Sequence, residues 1–203
     1  MTAQTAINDA VSAGGSGTEI ISRVRSNAEE LGTAEKARVD YYIAGIRPAI
    51  AEMIVTDLGN GIGGMNKGSE VFMATSTIMV GQDIEQTVDM AAEVKKHEVY
   101  HQKNKHTDPM QVVDGTRTSV ALVMGGKEFT DTKFIEGLTV SQTGHEFVST
   151  EYVQYESDFL SAINTAELSI EEVEAAVTAK DLTLIDDRRR EEQSVDTALV
   201  TSA

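Results

Sequence analysis

From Asp83 to about Lys105 the chain reads as one long helix, and this run constrains the fold more than any other stretch. On a wheel of roughly 100° per residue, Met90, Val94, His97 and His101 fall on one stripe, at i, i+4, i+7 and i+11. Ile84, Val88, Ala91, Ala92 and Val99 form a second stripe, which leaves Asp89, Glu93, Lys96, Tyr100 and Lys103 on the remaining side. A helix with this pattern is largely buried, so the rest of the domain must be packed around it. Two of the chain's four histidines continue a stripe of buried type.

Those two histidines belong to His97-Glu98-Val99-Tyr100-His101. Four residues apart on a helix, they project from the same face about one turn apart, so both imidazoles can reach one tetrahedral ion. Glu98 sits about 100° round the helix, where it can reach a water on the open side of a metal without ligating the metal itself. The chain has no cysteine, so a tightly bound transition metal must rely on histidine and carboxylate ligands.

At this motif the sequence resembles the H-E-x-x-H zinc metallopeptidases, the zincins, over roughly residues 70–165. The resemblance implies an α+β fold: a mainly helical zincin-like domain with a small β-sheet and the motif on a central active-site helix. It also implies Zn2+ as cofactor, a peptide or protein substrate, and an edge strand before the helix that pairs with that substrate, here the run Glu70 to Val80. Under this reading His97 and His101 are metal ligands and Glu98 is the general base that takes a proton from the metal-activated water.

A third protein ligand is required. The gluzincin branch takes a glutamate from a later helix, and the segment STEYVQYESDFLSAI, residues 149–163, resembles that helix, with Glu151 as ligand and Tyr155 as the aromatic that follows. Periodicity points instead to Glu156, which lies near the centre of the apolar face formed by Tyr152, Phe159, Leu160 and Ile163, with Glu151 at its edge. The metzincin pattern would place a histidine where Thr107 stands, and His106 falls one residue early. The resemblance favours Glu151, with Glu156 and His106 as alternatives. His145, Tyr152 and Tyr155 are the candidate donors to a developing oxyanion.

The remaining chain divides into an expected flexible arm at 1–17, N-terminal helices at 18–58 with Pro48 kinking the second, a zincin-like core at 70–180 and a mobile tail at 186–203. Gly59, Gly61 and Gly64 spell G-x-G-x-x-G, but a helical pattern precedes them and a strand-like run follows, the reverse of the dinucleotide-binding order. They read as a flexible connector. Residues 112–142 read as β-like around a Gly125-Gly126 turn, 147–166 as helix, and Ser169-Ile170-Glu171-Glu172 as a capping box opening a last helix.

Thirty-three acidic against 17 basic residues give a formal charge of −16, which repels nucleic acid and anionic membranes. No run approaches a membrane span and no secretory signal precedes the domain, so the expected location is cytoplasmic, or exported without an N-terminal signal peptide. Two other functions fit the same residues: a non-catalytic zincin-like structural or interaction protein, for example of a phage or injection apparatus, and a metal-free acidic module whose histidines bond to carboxylates.

Overall fold

Ala3, Ala6, Ile7, Ala10 and Val11 recur at three and four residues, and in a computed structural model of the protein they form the buried face of helix α1 (Ala3–Ser12). The Thr2 side chain caps it by accepting from the Thr5 N–H, and Gln4 and Asn8 donate side-chain hydrogen bonds to the Val80 carbonyl. The stretch expected as a loose arm is therefore an integral helix. Its small residues allow close helix packing, which offsets the little area each one buries. Ile7 is fully buried, so Ile7→Ala should destabilise the protein by about 2–5 kcal/mol in urea unfolding. A true arm would leave the midpoint unchanged.

The structure describes residues 1–59, 61–67, 69–103, 122–144, 149–179 and 181–187. His106 and His145, the start of the β-like segment and nearly all of the expected mobile tail lie outside them. Two units make up the chain, Met1–Gln102 and Lys103–Ala203, so the boundary falls at the end of the motif helix and divides the expected 70–180 core.

In the first unit, strand β1 (Gly15–Ser16) leads through a capping box, Ser16 with Glu19, into helix α2 (Gly17–Asn27). Helix α3 (Thr33–Ile50) follows, with Pro48 tolerated in its last turn. Strands β2 (Ile54–Thr56), β3 (Gly64–Lys67) and β4 (Glu70–Ala74) complete a sheet of order β1-β2-β4-β3, with β2 and β4 parallel and the other pairs antiparallel. A short helix α4 (Thr75–Ile78) then leads to α5 (Ile84–Lys103).

Two expectations change here. The Glu70–Val80 run is strand only to Ala74, and β4 lies inside the sheet; the edge is β3, formed by the glycine-rich stretch expected as a connector. Val55, Val71 and Met73 turn inward to a core shared with Ile7, Ile20, Val24, Tyr42, Ile46, Ile78 and Ala91. The buried Tyr42 hydroxyl donates to the Ile78 carbonyl at 2.8 Å, and burial pushes its pKa well up.

In the second unit, β5 (Leu122–Met124) and β6 (Lys127–Phe129) form a hairpin about Gly125-Gly126, as expected. The expected β-like return is instead helix α6 (Asp131–Thr143), opened by the Thr130 side chain accepting from the Lys133 N–H. Phe134, Ile135 and Leu138 repeat at helical spacing and are buried, and this face outweighs the strand preference of the Thr and Val residues. Helix α7 (Thr150–Thr165) packs on α6 through Gly137: a Cβ there would stand 2.7 Å from the Tyr155 carbonyl oxygen and 2.9 Å from Phe159 Cβ. Helix α8 (Ile170–Ala179) opens on the expected box, with the Ser169 N–H donating to Glu172 and the Glu172 N–H to Ser169.

Asp158 on α7 receives Lys133 Nζ at 2.8 Å and Lys127 Nζ at 3.0 Å, which tie α7 to α6 and to β6. The two ammonium groups, Lys133 foremost, lower its carboxyl pKa to about 2. A depressed folded pKa stabilises above the ordinary carboxylate value and loses that stabilisation as pH falls through the folded one. Asp158→Asn should thus cost about 1–2 kcal/mol near neutral pH, reduced by partial exposure, with the gap to the parent closing between ~4 and ~2 in acid titrations of stability.

No helix among the described residues is long and apolar enough to cross a membrane. Among the described residues the coarse architecture is mixed α+β, mainly helical, with one small sheet and a hairpin.

Candidate metal centre

Helix α5 turns Ile84, Thr87 and Ala91 toward the core, and the sequence continues this stripe at Val94 and Glu98 with alternating steps of three and four. Glu98 therefore occupies a core-facing position and is 8% exposed. It lies under strand β3: a Cβ built on Gly64 would stand 2.7 Å from both Glu98 Cγ and Val94 Cγ1. The Asn66 side chain of the same strand donates to the Glu98 carbonyl at 3.4 Å.

His97, one position back, is 9% exposed, and His101 is half-buried one turn on. Their rings meet edge to face at an interplanar angle of 74°, with the two Nε2 atoms 3.1 Å apart. Two nitrogens on a tetrahedral zinc, each bonded at ~2.0–2.1 Å, would be separated by ~3.3–3.4 Å. The pair is therefore within a few tenths of an ångström of a chelating arrangement. The same approach also suits a hydrogen bond in which one ring donates its Nε2–H to the Nε2 of the other.

In the second unit Glu151 is exposed in the first turn of α7, where a carboxylate suits the positive end of the helix. It accepts the Tyr155 hydroxyl, and this hydrogen bond, with the nearby charges of Glu151 and Glu136, raises the Tyr155 phenol above its ordinary pKa. Tyr152 stacks on Tyr155 with ring centroids 5.8 Å apart. Glu156 is half-buried on the same helix.

Among the described residues of the first unit, the pair suited to holding a metal is thus His97 and His101. Glu136 is a half-buried carboxylate on α6, and the sequence reading did not single it out because it took residues 112–142 as β-like. The missed signal was Thr130 as a cap followed by Phe134, Ile135 and Leu138 at helical spacing. No protein-family model, curated protein or solved structure matches the chain.

Proposed function

We propose that the protein is a zinc-dependent peptidase of zincin-like build, in which His97 and His101 hold the metal, a carboxylate completes the ligand set and Glu98 is the general base. The observation that carries this reading is the 3.1 Å approach of two imidazole Nε2 atoms on a buried helix face, beside a buried glutamate. A set of two histidines and one carboxylate suits Zn2+ and leaves a coordination position for water.

Glu151, the ligand that the gluzincin resemblance implies, is exposed and already engaged by the Tyr155 hydroxyl. Bound zinc would lower the pKa of its water toward ~7 and polarise the scissile carbonyl. Glu98 accepts the proton released as that water attacks and passes it to the leaving amine, so that amide cleavage is balanced without a further acid. Its burial excludes competing bulk water. Strand β3 adjoins Glu98 and is an edge, so an extended peptide can add to it through main-chain hydrogen bonds.

The test is incubation of the zinc-loaded protein with a proteome-derived peptide mixture, with new termini read by mass spectrometry. Cleavage that 1,10-phenanthroline stops and added zinc restores is expected. A protein that holds zinc yet cleaves nothing in the mixture would replace this reading with that of a non-catalytic, metal-braced interaction domain.

A further inference from the structure

The glycines that precede the motif helix are part of the same construction. Gly63 is pinned from two sides, its carbonyl accepting the Ala74 N–H at 2.9 Å and the Thr77 hydroxyl at 2.8 Å. Gly64 begins the ladder with β4, opposite Met73. Their backbone rests on α5 so closely that an added methyl at Gly64 would meet Glu98 Cγ at 2.7 Å, Val94 Cγ1 at 2.7 Å and Glu98 Oε1 at 3.1 Å. At Gly63 the same methyl would meet Val94 Cγ2 at 3.2 Å, Thr77 Oγ1 at 3.5 Å and Val94 Cγ1 at 3.8 Å, with no atom of Glu98 nearer than these.

We propose that Gly64 is a positioning residue for Glu98: its bare Cα forms the wall that fixes the direction of the carboxylate. The inference rests on the peptidase reading for what Glu98 does, and adds the element that aims it. Strand β3 is held by its pairing along Gly64–Lys67 and by the Gly63 carbonyl bonds, and a side chain yields to a clash more readily than a paired strand. A methyl at Gly64 therefore displaces the carboxylate before it lifts the strand. In the sequence Gly64 reads only as part of a flexible connector, because a glycine needed for a tertiary approach looks the same as one in a loop.

The probe is acetohydroxamate, which chelates zinc through two oxygens and offers a proton to a neighbouring carboxylate. Its Kd would be measured on zinc-loaded parent, Gly63→Ala, Gly64→Ala and Glu98→Gln proteins, after zinc content and thermal midpoint have been determined for each. Gly64→Ala and Glu98→Gln should both weaken the probe by ~10-fold or more at full zinc content, and Gly63→Ala by no more than ~2-fold, the charge-assisted hydrogen bond setting the scale. If Gly64→Ala fails to fold, Gly64→Ala with Val94→Ala removes one of the two 2.7 Å contacts and leaves the one to Glu98. Parent-like affinity in a folded, zinc-loaded Gly64→Ala protein, beside weakened Glu98→Gln, overturns the positioning role alone. A parent protein without zinc overturns the metal reading and this inference with it.

Discussion

Glu98→Gln should lower the rate of peptide cleavage by ~10²–10⁴ while leaving zinc content at the parent level, because the amide keeps the shape of the side chain but cannot accept the proton. Shape matters at this site. Glu98 is buried and touches Val94's neighbourhood beneath β3, so truncation to alanine would mix a lost base with a cavity. The isosteric change separates the two. With peptide as substrate, the loss should fall on kcat, since the carboxylate acts in the transition state rather than in ground-state binding. A glutamine variant with parent-like kcat would remove Glu98 from the chemistry.

The second large effect concerns a histidine. On the proposed reading His101→Ala removes a direct ligand and should weaken zinc binding by more than the ~10–100-fold typical of losing a group that only orients a ligand. Glu151→Ala should leave zinc affinity within a few-fold of the parent and lower the Tyr155 phenol pKa, since the carboxylate that raises it is gone. Equilibrium dialysis against a zinc buffer gives the first quantity, and ultraviolet titration of tyrosine the second. Loss of zinc from Glu151→Ala would restore the ligand that the gluzincin resemblance implies.

Long elements with strong local signals were legible in the chain. Helix α5 was expected from Asp83 to Lys105 and spans Ile84–Lys103, and the Ser169 box and the Gly125-Gly126 turn hold with their expected partners. What escaped was structure whose cause is tertiary. Helix α1 relies on alanines whose value lies in close packing, and such a face has little weight as hydrophobic periodicity. Strand β3 opens on a glycine, a residue that usually weakens a strand, tolerated because α5 presses on it from one side. Within the motif, the helical spacing of His97 and His101 was readable, but the wheel put Glu98 to the side of the histidine stripe and gave no sign that it lies beneath a strand. Glu136 escaped for a different reason: the β-prone residues around it disguised a capped helix.

The most direct test of the metal site is zinc content by elemental analysis of protein purified without a histidine tag, beside His97→Ala and His101→Ala prepared identically. The expected result is one zinc per chain in the parent and little in either variant, each having lost one of two nitrogens that stand 3.1 Å apart. A parent that holds no zinc after incubation with the ion and dialysis would contradict it, and would leave the two imidazoles as a hydrogen-bonded pair on an acidic helical protein.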